Sequence, residues 1–270
     1  MATWIVKNML QKTSEASRIS RILASVRTER SADRLRHELQ DHSKRIDIRV
    51  QDNVGVASAS DTIMLACKPY QVQKVLAARG LADALHKKGI ISILAGITPG
   101  QIRKALTKDR ADGNYDIIRA GPNVGARVGE CMTVISEPHG ASAELVEETI
   151  WLFEQIGRVT EVVESAYDSG FAMVGSAYSL PTVAIEGLID GAVQQGLSRA
   201  AATDITVQCL KGLTRMLENG EKPTDVRNSI CTPNSVTIAG YLELERRAVR
   251  AAFADSLRVA IERTKSYGKR

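Results

Sequence analysis

The sequence predicts an α/β protein: a doubly wound parallel sheet followed by an all-helical region. Three observations carry that prediction. Apolar runs of strand length alternate with helical patterns as far as residue 164, which is how strand–helix–strand crossover units read. The strand-like run 90–94 is followed by Thr98-Pro99-Gly100-Gln101, a helix start with Thr98 as N-cap, Pro99 at the first position and Gln101 able to reach back. From residue 166 onward the strand signal fades, and helical periodicity runs to the end with breaks near Gly196 and between Gly220 and Pro233.

In chain order, Ala2, Ile5, Val6 and Met9 lie at helical spacing, so residues 2–11 read as an amphipathic helix. Residues 21–27 read as a strand, 31–40 as a polar-faced helix and 45–50 as a second strand. An apolar strand at 62–67 runs into Lys68-Pro69, helical pattern follows to His86, and the next strand is 90–94. Strands at 115–120 and 131–136, a helix at 142–155 and a strand at 158–163 complete the alternation. The expected domains are therefore a Rossmann-like 1–164 and a helical 165–270. Apolar residues such as Val183, Leu188, Ile205, Leu213 and Met216 give the helical domain enough surface to pair with a second copy.

Composition narrows the classes. A chain of 270 residues can form two modest domains with proper cores, and 44% hydrophobic with 25% charged residues is ordinary for a soluble globular protein. Aromatics at 4% predict an aliphatic core. The formal charge of +5 suits an anionic ligand; part of it sits in the C-terminal helix and tail, including Arg246, Arg263, Lys269 and Arg270, and reads as a solvated face. No nucleic-acid motif is recognisable, and no apolar run reads as long enough to span a membrane. Cys67, Cys131, Cys209 and Cys231 lie far apart without metal spacing, as reduced thiols of a cytoplasmic protein would. His37, His42, His86 and His139 sit in polar surroundings and read as surface residues, so no metal site is expected.

Residues 223–245 carry the sharpest local signal. A short helix opens at Pro223, a tight turn follows at Thr232-Pro233-Asn234-Ser235, and a new helix begins near Val236. Pro233 presets its own φ, and Asn234 is among the few non-glycine residues that tolerate left-handed backbone. Such a turn aims backbone N–H groups and the Thr237 hydroxyl at one point, a helix N-terminus suited to a small carboxylate. With Pro223 and Val226 ahead of it, the turn resembles the C-terminal signature of the pyrroline-5-carboxylate reductase family, with Asn234 and Ser235 in place of two glycines. The resemblance covers essentially the whole chain.

That resemblance implies an NADPH-dependent reductase of a cyclic imine carboxylate, 1-pyrroline-5-carboxylate, acting as a homodimer or larger homo-oligomer through its C-terminal helices. It implies a cofactor surface of Arg27 beside a ribose 2′-phosphate, Asn53 near the adenosine, the strand end Ala66-Cys67-Lys68-Pro69, the turn Ala95-Gly96-Ile97, and Asn123 near the nicotinamide carboxamide. It implies substrate pinning by Thr232, Asn234, Ser235, Val236 and Thr237, with Thr237, Ser176 and Glu186 as the candidate catalytic residues. The pattern is broken at several positions: Gly121 stands for a methionine, while at the pocket Phe171 stands for a threonine and brings a bulky ring near the expected imine, and Ser235 adds a side chain where the backbone approaches the carboxylate. Reduction of a six-membered imine to pipecolate, or a silent homologue acting through its helical domain, are the alternatives. A lysine-dependent hydroxyacid dehydrogenase would share the two-domain plan, but its Gly-x-x-x-Lys catalytic helix is not found.

The first glycine in the chain is Gly55, so no Gly-x-Gly turn precedes the first helix. The family's first strand, expected in mid-sheet, has no counterpart ahead of Met1. A reading frame that starts too late is the expected cause, with loss of the cofactor site as the alternative; weak or absent NADPH binding and an unstable N-terminal domain are the expected consequences.

Overall fold

The computed structural model describes residues 1–13, 18–107, 115–137 and 140–267. His139, Lys269 and Arg270 lie outside the described residues. The chain packs as two units, residues 1–175 with 261–270, and residues 176–260.

The first unit opens on α1 (Ala2–Lys12), whose Ile5, Met9 and Leu10 are buried, as the apolar spacing requires. Strands β1 (Ile22–Val26) and β2 (Ile46–Val50) pair in parallel around α2 (Glu29–Glu38). Then come α3 (Asn53–Ser58), β3 (Thr62–Leu65), α4 (Val72–Leu76), α5 (Leu81–Leu85), β4 (Gly89–Ser92), α6 (Pro99–Leu106) and β5 (Asp116–Gly121). A 3₁₀ turn at Val124–Arg127 leads to β6 (Cys131–Ser136), α7 (Ala143–Glu154) and β7 (Gly157–Val162). The capping box at Thr98 and Gln101 forms as expected.

The strands form two blocks, β1-β2 and β3-β4-β5-β6-β7. Among the described residues no strand joins β1 to β3. All pairings are parallel except β5–β6, which is antiparallel. The parallel, doubly wound sheet expected from the sequence thus carries one antiparallel pair. The link from Gly121 to Cys131 is a turn with a 3₁₀ segment, too short for the crossover that a parallel pair requires.

Buried Arg45 ties the start of this unit together. Its guanidinium donates to the carbonyls of Leu10, Thr13 and Ile19 and to the Thr13 hydroxyl, which itself donates to the Met9 carbonyl. The cation thus meets the exposed carbonyls at the C-terminus of α1, where positive charge is favoured. We expect Arg45→Met to cost about 2–3 kcal/mol, the value of charged hydrogen bonds lost with their acceptors left buried. A chemical denaturation midpoint unchanged from wild type would contradict this.

Helix α8 (Glu164–Gln194) begins in the first unit and enters the second, which continues with α9 (Arg199–Glu218), α10 (Pro223–Ile230), α11 (Val236–Arg246) and α12 (Val249–Tyr267). The expected boundary near residue 164 coincides with the start of α8, whereas the packing division falls inside that helix, after Gly175. By length and composition alone α8 passes as a helix that could cross a membrane. Its apolar residues are spaced among glycines and serines over 31 helical residues instead of forming one continuous run. In the second unit Val183, Leu188, Ile205 and Met216 are exposed.

Candidate active site

The residues expected to hold a cofactor gather after the carboxyl ends of the strands in the first unit, where ligands of doubly wound sheets bind. Arg27 follows β1 and is exposed. Asn53 follows β2 and opens α3; its Oδ1 accepts from the Ser25 hydroxyl at 2.8 Å, linking the ends of β1 and β2. Ala66 and Lys68 follow β3 and are exposed, and Pro69 starts the next 3₁₀ turn. Ala95 and Gly96 follow β4, with Gly96 at φ 68°, a left-handed turn that favours glycine.

Met1, the N-cap of α1, bonds through no side chain, so the first N–H groups of that helix are open to a ligand. Burial, then Lys68 and Arg34, push the Met1 ammonium below its usual value.

Asn123 follows β5 and is the N-cap of the 3₁₀ turn. It is buried, and its Oδ1 accepts from the N–H of Gly125 at 3.1 Å and of Met132 at 3.2 Å while its Nδ2 donates to the Val174 carbonyl at 3.1 Å. One amide proton remains for a ligand, so Asn123 chiefly braces the β5–β6 turn against α8.

Arg119 lies beside it on β5 and is 2% exposed. Its two terminal nitrogens donate to Glu164 at 2.9 Å and Asp168 at 2.6 Å, and its guanidinium carbon lies 3.8 Å from the Tyr167 ring centre. Burial pushes the Tyr167 phenol far above its usual value. The Tyr167 hydroxyl, Arg119 Nε and Ser92 Oγ, on the cross-strand neighbour of Arg119, are buried without hydrogen-bond partners among the described residues. Sequence reasoning read this stretch for Asn123 and missed the clamp; an arginine inside an apolar strand was the available signal.

In the second unit the predicted turn forms. Asn234 takes φ 59°, the Ser235 N–H donates to the Thr232 carbonyl, and α11 opens at Val236. Ser235 is the N-cap, its hydroxyl accepting from the Ile238 N–H at 3.2 Å, so this side chain meets one N–H that a carboxylate could otherwise take. The Thr237 hydroxyl donates to the Ile230 carbonyl at 3.0 Å and lies 3.0 Å from Ser235 Oγ. Thr232, Asn234, Val236 and Thr237 are exposed. Ser176 and Glu186 lie on α8, Ser176 buried and Glu186 exposed.

The described cysteines are all unpaired. His86 is half-buried, edge-on to Tyr115 with ring centres 6.5 Å apart, and so is a packing residue, not the surface residue expected.

Residues 164–267 match the family model for the pyrroline-5-carboxylate reductase dimerisation domain, and residues 1–96 match that of the coenzyme F420-dependent NADP oxidoreductases. Over 256 residues the chain is 32% identical to pyrroline-5-carboxylate reductase of Lophium arboricola, covering 93% of this chain and 80% of that one. The chain belongs to the pyrroline-5-carboxylate reductase family. The Neurospora crassa reductase is 36% identical over 222 residues, covering 77% of this chain and 67% of its own. In fold, the pyrroline carboxylate reductase of Plasmodium falciparum, solved with NADP bound, matches with a TM-score of 0.79 at 21% identity over 93% of this chain and 100% of that one. The family consists of NADP-dependent oxidoreductases acting on imines, so the expected class of enzyme and cofactor stands.

Proposed function

We propose that this chain reduces 1-pyrroline-5-carboxylate to proline with NADPH, in the cytoplasm, as a homodimer or larger homo-oligomer joined through its C-terminal helices. The observation that carries the reading is the 32% identity to a named reductase across 93% of the chain. NADPH would supply the hydride for the C=N carbon. Arg27, Asn53, Ala66, Lys68, Pro69, Ala95 and Gly96 would hold it along the strand ends, with its pyrophosphate at the N-terminus of α1. Asn123 would offer its remaining amide proton to the carboxamide while holding the turn beneath it.

The reaction needs the imine carbon held at the nicotinamide and the carboxylate pinned; an imine that arrives protonated already carries the proton its nitrogen needs and requires no dedicated acid. Thr232, Asn234, Ser235, Val236 and Thr237 would pin the carboxylate, with Ser176 and Glu186 completing the candidate catalytic set. The left-handed Asn234 and the Ser235 cap support this reading, because they form a tight turn that opens directly onto the N-terminus of the eleven-residue α11. The exposed apolar residues of the second unit, together with the dimerisation-domain match, support the homo-oligomer. Four unpaired thiols suit a reducing compartment.

The direct test is NADPH oxidation by the purified chain with 1-pyrroline-5-carboxylate, followed by nicotinamide absorbance, and no turnover would refute the reading. Thr237→Val should lower kcat/KM by about 10–150-fold, the range for one hydrogen bond to a charged group. Unchanged kinetics would remove Thr237 from the site.

A further inference from the structure

Gly121 ends β5, and a Cβ built there would lie 2.6 Å from Phe171 Cδ2 and 3.3 Å from both Phe171 Cε2 and the Tyr167 hydroxyl. The ring of Phe171 therefore fills the room that a side chain at position 121 would need. We propose that Gly121 and Phe171 form one reciprocal wall of the substrate site, and that Phe171 determines which ring size the site accepts.

This rests on the reductase reading, which puts the imine at the carboxyl end of β5. Gly121 closes β5 at its carboxyl end, the end at which doubly wound sheets bind their ligands. Phe171 is half-buried, with its inner side against Gly121 and Tyr167, the latter at 6.2 Å between ring centres. The Tyr167 hydroxyl behind it is fully buried and has no partner among the described residues. Polar chemistry is thus shut behind the ring, and Phe171 offers the site an aromatic wall where the family pattern has a threonine hydroxyl. An apolar wall discriminates by volume, and one ring methylene is worth about 10–200-fold.

The test uses the full chain and the variants Phe171→Ala, Gly121→Ala and their combination, with Phe171→Leu where the alanine variant fails to fold. Calorimetric binding of L-proline and L-pipecolate in the presence of NADP gives the affinity ratio of five- and six-membered rings. Phe171→Ala should move that ratio toward pipecolate by about tenfold or more. Gly121→Ala should lower the unfolding midpoint in the wild-type background and leave it unchanged once Phe171 is truncated. An unmoved ratio in a chain that still turns over 1-pyrroline-5-carboxylate overturns this proposal alone. Equal costs of Gly121→Ala in both backgrounds overturn the reciprocal wall. Binding of neither ligand, together with no turnover, overturns the reductase reading as well.

Discussion

Arg119→Met should destabilise the N-terminal unit by about 3–5 kcal/mol, read from urea denaturation followed by circular dichroism. The guanidinium is almost wholly enclosed, whereas the side chains of its partners Glu164 and Asp168 keep 32% and 23% exposure. Truncation removes two charged hydrogen bonds and the cation over the Tyr167 ring. It also leaves two carboxylates beside a buried phenol. Because both can still reach water, the low end of the range is the expected value. Arg119→Lys should not rescue the loss, since one ammonium cannot serve two carboxylates and the ring in the fork geometry of arginine. The loss should extend to the Asn123 turn, because Asn123 and Arg119 both tie the end of β5 to α8. A cost under about 1 kcal/mol would mean that the clamp contributes no more than a surface ion pair.

Gly157→Ala should be more damaging still, with a loss of about 4 kcal/mol or more, or insoluble protein. Gly157 opens β7 opposite Cys131 of β6, and a Cβ there would lie 1.9 Å from the Cys131 carbonyl oxygen and 2.4 Å from its nitrogen. Those are main-chain atoms of a paired strand, so relief requires breaking the ladder between β6 and β7. Gly89→Ala is the matched control. Its added carbon would meet Leu145 Cδ1 at 2.6 Å, the tip of a side chain that can change rotamer, and the cost should stay near 1 kcal/mol. Similar unfolding midpoints for the two variants would show that main-chain proximity is not what requires glycine at position 157.

Much of the fold was legible because it is written locally. Helical spacing of Ile5 and Met9 placed α1, the Thr98–Gln101 capping box placed α6, and the Pro233-Asn234 pair placed the turn ahead of α11. The strand ends bearing Arg27, Lys68 and Gly96 were legible from motif and fold rule together, since a doubly wound sheet always presents those ends to one crevice. What motif reading missed is the occupancy of polar groups. It assigned Asn123 to a ligand, but three of that side chain's hydrogen-bonding positions serve the protein. Ser235 was read as a side chain crowding a carboxylate, and it also caps α11.

The sequence by itself determined the class of fold, the order of its elements and the membership of its family, because periodicity, caps and turn residues act over a few neighbours. Tertiary structure alone decided the antiparallel β5–β6 pair, the two-block sheet, the burial of Arg119 between Glu164 and Asp168, and the fit of Phe171 into the room left by Gly121. Those are contacts between residues distant along the chain, and their geometry depends on how whole elements pack, which no local pattern encodes.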